Sequence, residues 1–275
     1  MVEIRTLNDG DLPALEELLR PIEAHALLLL GNARNDGIDD RGGPRNGCWL
    51  GAFEQSRLVG VAAWFRGFGS LFAVCNGHAS PLIPALIERV GKPRVVIGTT
   101  EHVAEVLPHV PWQVGVHKRD RLMVLHWPDY APRPLPVVRT LLLEEAPAAA
   151  EAQGALHREA QMPTDPAVNL AGARRCAAEG GIQSVWEEGR LVAISTDAAS
   201  TGRYVHVGAT WCAQERRRSG YAGACVTAVL DRARAEGRAS EGAVLFTGME
   251  NVAAQRLYER LGFRHDVDWE LAFLA

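Results

Sequence analysis

The feature that most constrains the fold is an order of predicted strands and helices that occurs twice along the chain of 275 residues. The first copy begins with residues 2–7, which alternate as a β-strand does, and continues with a helix from Leu12. The second copy begins with a predicted strand over residues 137–144 and a helix over 147–159. A repeated order of this kind predicts two α/β domains of the same architecture.

A proline-rich segment separates the two copies. Four of the nine residues from Pro128 to Pro136 are proline, a composition that is typical of a linker. We therefore predict a first domain over residues 1–127, a linker over 128–136 and a second domain over 137–275.

Composition and charge exclude several classes of protein. The chain has 29 Lys and Arg against 33 Asp and Glu, a net charge of −4, whereas nucleic-acid binders usually carry a basic excess. No apolar run approaches the roughly 20 residues that span a membrane, and the first residues lack a secretory signal. The five cysteines and nine histidines are dispersed without zinc spacing. We expect a cytoplasmic protein without a metal, a nucleic-acid partner or a membrane partner.

A short basic motif precedes a predicted helix in the second domain. It fits the pattern [Arg/Gln]-x-x-Gly-x-[Gly/Ala], in which small residues let the backbone approach an anion at a helix N-terminus. Its residues are Arg217, Arg218, Ser219, Gly220, Tyr221 and Ala222. Taken alone, the motif fits equally well a helix that starts at glycine beside a solvated basic turn.

A second motif resolves that ambiguity. Asn251, Ala254, Tyr258, Gly262 and Phe263 match every position of Asn-x-x-Ala-x-x-x-Tyr-x-x-x-Gly-Phe. This is the ending of the GNAT superfamily of N-acetyltransferases, and with the basic motif upstream the second domain resembles that family. The resemblance implies an α/β (α+β) fold of two tandem GNAT-like domains, each a mixed, mostly antiparallel central sheet with helices on both faces.

The first domain lacks both motifs. After its strand at 71–75 the chain has no Arg-x-x-Gly-x-Gly/Ala, and the domain has no Asn…Tyr…Gly-Phe ending. The chain therefore resembles a tandem GNAT protein whose first domain is degenerate and does not bind CoA. That domain is expected to shape the acceptor pocket or to mediate association, of which a homodimer is one form.

The resemblance also implies roles for single residues. In the family, acetyl-CoA lies where two central strands splay apart. The residues implied to pair with its pantetheine arm or to lie beside it are Thr210, Trp211, Cys212 and Asn251. The N–H near Cys212 would polarise the thioester carbonyl, and Tyr258 would be the acid that protonates the leaving thiolate.

The general base is less well defined. Histone-type members of the family carry a carboxylate eleven residues before the first residue of the basic motif, and here that position is His206. A histidine can deprotonate an ammonium, but a histidine on a strand more often only packs or forms a hydrogen bond. Glu187, Glu188 and Asp197 are further candidates nearby. A covalent intermediate on Cys212 is not expected, because the family uses direct attack and no activating base is apparent.

The predicted activity is acetyl transfer from acetyl-CoA to an amine, either a small molecule or a peptide N-terminus, without a metal. One alternative is a regulatory protein that binds acyl-CoA and has lost turnover. Another is a tandem transferase with a specialised acceptor, of the mycothiol synthase type. The acceptor itself cannot be derived from the sequence, because its pocket is built from the most variable part of the fold.

Overall fold

A computed structural model describes residues 2–135 and 137–275. Backbone contacts divide the chain into two units. Unit 1 contains the chain up to Leu122 together with Asp266–Ala275, and unit 2 contains Met123–His265. Unit 1 thus includes the last residues of the chain, which the predicted boundary at 137–275 places in the second domain.

The described residues form twelve strands and eight α-helices. The strands are β1 (Glu3–Thr6), β2 (Gly47–Glu54), β3 (Arg57–Phe65), β4 (Ser70–Val74), β5 (Val95–Thr99), β6 (Val114–His126), β7 (Arg139–Thr140), β8 (Ile182–Glu187), β9 (Arg190–Ser200), β10 (Gly202–Cys212), β11 (Ala239–Gly248) and β12 (Arg264–Leu274). The helices are α1 (Leu12–Leu19), α2 (Leu27–Asp36), α3 (Ala79–Val90), α4 (Thr100–Val106), α5 (Ala146–Glu159), α6 (Pro166–Ala178), α7 (Tyr221–Ala235) and α8 (Val252–Leu261). None of these helices has the length and apolar character needed to cross a membrane.

The sheet of unit 1 has the strand order β1-β2-β3-β4-β5-β12. Only β4 and β5 are parallel in this series, and the other neighbours are antiparallel. Helix α3 packs on the sheet through Leu82, Ile83 and Leu86, which recur at helical spacing. Ala272 of β12 lies in the same core, so the last strand of the chain helps to bury the apolar face of unit 1.

The sheet of unit 2 has the strand order β11-β10-β9-β8-β7, in which only β10 and β11 are parallel. Helices α7 and α8 cover one face, against Val205, Val207 and Leu245. Helices α5 and α6 cover the other face, against Ile182 and Ile194. The predicted class, a mixed and mostly antiparallel sheet with helices on both faces, is confirmed.

The predicted strand over 137–144 is wrong for most of its length, because β7 contains only Arg139 and Thr140. The Glu145 carboxylate accepts two hydrogen bonds from Arg139 at 2.6 and 2.7 Å and one from the backbone of Leu142 at 2.9 Å. These bonds turn the chain into a short 3-10 helix at Leu143–Glu145, which leads into α5. A local cap therefore ends the strand early.

The described residues of the predicted linker, 128–135, belong to unit 2. The hydroxyl of Tyr130 donates to Asp231 at 2.8 Å, and the backbone N–H of Arg133 donates to Thr227 at 3.0 Å. Both acceptors lie on α7, so residues 130–133 follow that helix. Pro136, the last residue of the predicted linker, lies outside the described residues.

Candidate functional site

The candidate site begins where β10 and β11 stop pairing. The two strands are paired from Gly202 with Ala239 to His206 with Val244. Strand β10 nevertheless runs on to Cys212 and β11 to Gly248. Among the described residues no pair joins these two extensions, so the backbone groups of the β10 extension that do not bond to β9 are available to a ligand.

A bulge distorts β10 just after the last pair with β11. Gly208 is opposite Thr196 of β9, but Trp211 is opposite Ile194, so three steps along β10 correspond to two along β9. Ala209, inside this interval, has a φ of +30°, which is unusual for a residue with a side chain. Bulges redirect the side chains that follow them.

Tyr258 on α8 reaches this bulge from the α7/α8 side of the sheet. Its ring lies in the core, 6.0 Å from the ring of Phe263, and only 6% of the residue is exposed. Its hydroxyl is hydrogen-bonded to the side chain of Thr210, and burial raises its pKa above the usual value for tyrosine. The Thr210 hydroxyl also lies 3.0 Å from that of Ser195 on β9, a partner that the sequence did not suggest.

Asn251 and Gln255 fix the loop after β11. The Asn251 side chain caps α8 by accepting a hydrogen bond from the N–H of Ala254 at 3.2 Å. The buried amide of Gln255 donates to the carbonyls of Gly248 and Met249, each at 2.9 Å. Gln255 was missed in the sequence because it resembles any polar residue on a helix.

The basic motif forms a turn that is suited to an anion. Arg218 and Gly220 have φ values of +68° and +88°, and α7 begins immediately afterwards at Tyr221. The residue before them, Arg217, is extended, with a φ of −64° and a ψ of 152°, so the anion site depends on the start of α7. The first N–H groups of that helix have no partner within the helix and can bind an anion. The Ser219 hydroxyl holds the turn by donating to the carbonyl of Arg216 at 2.6 Å.

Two arginine side chains beside this turn are paired with glutamates. Arg216 forms an ion pair with Glu187, whose carboxylate also accepts a hydrogen bond from the Tyr221 hydroxyl at 2.5 Å. These two donors, Tyr221 first, lower the pKa of Glu187. Arg217 forms an ion pair with Glu159 of α5 at 2.6 Å. Arg217 is the first residue of the motif and Arg216 directly precedes it, but the sequence did not suggest either ion-pair partner.

A cavity of about 600 Å³ lies on the α5 side of unit 2. It is bounded by α5, the β8–β9 hairpin, the end of β10 and the residues that follow β10. Trp211, the residue that ends the bulge, lines the cavity, as do Trp186, Glu159 and Glu187. The cavity therefore adjoins both the bulge and the two ion pairs.

His206 lies on β10 at the last pair with β11, and its ring is 5.2 Å from that of Phe246. Its neighbours Val205 and Val207 face α7 and α8. Since side chains alternate along a strand, His206 faces the α5/α6 side, opposite to Tyr258. It is not among the residues that line the cavity.

The remaining candidates differ in their surroundings. Glu187 and Glu188 line the cavity, whereas Asp197 is buried in an ion pair with Arg238, and burial raises its pKa. Burial also raises the pKa of the Cys212 thiol, which opposes formation of a nucleophilic thiolate. Within residues 2–135 and 137–275, no group of three or more His, Cys, Asp or Glu could hold a metal ion.

The comparison with family models identifies one family. Residues 149–263 match the family model described as acetyltransferase (GNAT) family. None of the curated proteins matches the sequence significantly. The resemblance inferred from the two motifs is therefore confirmed for this part of the chain.

Solved structures extend the likeness of fold to nearly the whole chain. A Drosophila protein is 15% identical, with a TM-score of 0.70 and coverage of 99% of this chain and 98% of that one. An acetyltransferase from the GNAT family of Colwellia psychrerythraea is 17% identical, with a TM-score of 0.59 and coverage of 99% and 100%. A tandem GNAT protein from the clavulanic acid biosynthesis pathway is 13% identical, with a TM-score of 0.59 and 98% coverage of both chains.

Proposed function

Because residues 149–263 form a domain of the acetyltransferase (GNAT) family, we propose that the chain transfers the acetyl group of acetyl-CoA directly to an amine. One observation carries the proposal. The ends of β10 and β11 do not pair with each other, the turn that leads into α7 follows the end of β10, and the Tyr258 hydroxyl is hydrogen-bonded to Thr210 on that strand. This arrangement suits a donor that has a pyrophosphate at one end and a thioester at the other.

The donor would lie along the extension of β10. Residues 217–222 would hold the pyrophosphate, and Thr210 to Cys212 would pair with the amides of the pantetheine arm. Ala213 donates its N–H to Val192 of β9 at 2.8 Å. Since successive N–H groups along a strand point to opposite sides, the N–H of Cys212 points away from β9. It would polarise the thioester carbonyl as negative charge develops on the oxygen.

Tyr258 would supply the proton for the leaving group. The amine attacks the thioester carbon, the carbon–sulfur bond breaks, and the thiolate takes the phenolic proton. A neutral phenol is required for this role, and burial favours that form by raising the pKa of Tyr258. Asn251 would act on the donor indirectly, through the start of α8 that it caps.

We assign the general base to His206. An attacking amine must lose its proton, and the acceptor would approach from the α5/α6 side, which His206 faces. We expect His206→Ala to lower kcat about 10²-fold near neutral pH, the lower end for a positioned base, and to leave CoA affinity unchanged. Because free amine becomes more abundant as pH rises, the deficit should shrink at high pH. An unchanged pH–rate profile would assign His206 to packing with Phe246.

Unit 1 is proposed to lack a donor site. In the turn after β4, the N–H of Gly77 donates to the Glu105 carboxylate at 2.5 Å. A carboxylate at that position takes one of the N–H groups that a phosphate would need and repels the phosphate. This observation supports binding of one CoA per chain.

The proposed function is tested by incubating the chain with acetyl-CoA and a panel of primary amines, including amino acids and peptide N-termini. The expected result is release of the CoA thiol that depends on the amine, with an acetylated product detected by mass. Acetyl-CoA binding without transfer to any amine of the panel would contradict the enzymatic function and favour a regulatory acyl-CoA-binding protein.

A further inference from the structure

Two glutamates that line the cavity in unit 2 are each paired with an arginine that comes just before the turn at 218–220. We call this turn the proposed anion-binding turn. Glu187 is paired with Arg216, and Glu159 is paired with Arg217. All four side chains are between 28% and 49% exposed, so neither ion pair is buried in the fold. Exposed pairs of this kind contribute little to stability and can exchange partners.

The remaining lining of the cavity is suited to a cation with an apolar body. Five glutamates and three arginines line it, and one of those arginines is Arg216 in its pair with Glu187. Trp186 and Trp211 provide aromatic surface, and indole rings attract cations; the Trp186 ring already has the Arg139 guanidinium 5.1 Å from its centroid. The indole N–H of Trp211 is buried without a hydrogen-bond partner among the described residues.

We propose that this cavity binds an amine acceptor that carries a second positive charge, and that CoA binding exposes the carboxylates that hold it. The proposal rests on the proposed function. The pyrophosphate would take the guanidinium groups of Arg216 and Arg217, because phosphate oxygens are strong bidentate partners of arginine. Glu187 and Glu159 would then face the cavity without the arginines that pair with them in the structure.

The exchange couples the two ligands. Each carboxylate that leaves its arginine becomes a partner for a cationic amine, and each arginine that leaves its carboxylate becomes a partner for phosphate. Coupling of this kind is reciprocal, so the amine must strengthen CoA binding by the same factor by which CoA strengthens amine binding. The Tyr221 hydroxyl, which also contacts Glu187, lies at the first residue of α7 and connects the two sites.

The first test uses CoA alone and needs no acceptor. Glu187→Gln and Glu159→Gln keep the size of the side chain and remove the charge that competes for the arginine. Each variant should bind CoA about two- to fivefold more tightly in calorimetry, the range expected for loss of an exposed ion pair. Glu236→Gln is the matched control, because Glu236 pairs with Arg232 at 2.8 Å at the other end of α7 and should leave CoA affinity unchanged.

The second test compares three amines with the wild-type chain saturated by unacetylated CoA, so that no transfer occurs. 1,4-Diaminobutane should bind more tightly than butylamine, and 4-aminobutanoate should bind most weakly. Glu187→Gln should weaken diamine binding although it strengthens CoA binding, a pair of opposite signs that a merely structural role would not produce.

The outcomes separate this inference from the proposed function. If the wild-type chain does not bind CoA, the proposed function fails. If CoA binds but the two variants bind it no more tightly than wild type, the exchange is wrong and the donor site stands. Equal affinity for the three amines, or diamine binding that does not depend on CoA, would likewise overturn the inference.

Discussion

Replacing Tyr258 by phenylalanine should lower the rate of acetyl transfer by about 10²- to 10⁴-fold, the usual contribution of one positioned acid. Collapse of the tetrahedral intermediate expels a thiolate, and its protonation lowers the barrier to that step. The variant keeps the ring that packs against Phe263 and removes only the hydroxyl that contacts Thr210. Fold and CoA affinity should therefore survive.

The measurement is single-turnover transfer with saturating acetyl-CoA and an amine found in the panel. Tyr130→Phe is the matched control, because it removes another hydrogen-bonded phenolic hydroxyl of unit 2, the one that contacts Asp231, outside the proposed site. The control should transfer at the wild-type rate. Wild-type rates in the Tyr258 variant would mean that water protonates the thiolate and that Tyr258 serves only the core.

Replacing Gly220 by aspartate should weaken acetyl-CoA binding at least about 100-fold, or about 2.7 kcal/mol. The added carboxylate would stand at the N-terminus of α7, where the pyrophosphate is expected. Two like charges 4 Å apart near a protein surface repel by about 4 kcal/mol, which exceeds the required effect. The φ of +88° at this residue adds strain to any side chain.

Gly237→Asp is the matched control. It adds the same carboxylate at a second glycine with positive φ, so it shows whether backbone strain and added charge weaken binding when they lie away from the proposed site. Gly237 has a φ of +67°, no atom lies within 4 Å of an added Cβ, and it follows the opposite end of α7. This variant should bind acetyl-CoA as wild type does. Unchanged affinity in a Gly220→Asp protein that circular dichroism shows to be folded would remove the anion site from the account.

The structure gives a physical reason for several positions of the family signature. Asn251 caps α8 through the N–H of Ala254, and Phe263 is fully buried in the core. Gly262 has a φ of +105°, and an added Cβ would lie only 2.1 Å from the carbonyl of Asp129. The helix cap involves only residues within the motif, and the glycine is required by a single close approach to the backbone of Asp129. The helix and the turn after it can therefore be predicted from the motif alone.

The features that the sequence did not provide depend on residues distant along the chain. Arg217 and its partner Glu159 are 58 positions apart, and nothing near either residue indicates the pair. The pairing of β12 with β5 joins Trp269 to Thr99 across most of the chain. Periodicity identifies a strand but does not identify its neighbour in the sheet. The sequence therefore could not predict that β12 pairs with β5 in the sheet of unit 1.

A calorimetric titration of the wild-type chain with acetyl-CoA tests whether unit 2 contains the single acetyl-CoA site of the chain. We expect saturation at one equivalent per chain, because residues 217–222 form the turn that is proposed to bind the pyrophosphate, whereas the N–H of Gly77 in unit 1 is already bonded to Glu105. Saturation at two equivalents, or the absence of binding, would contradict it.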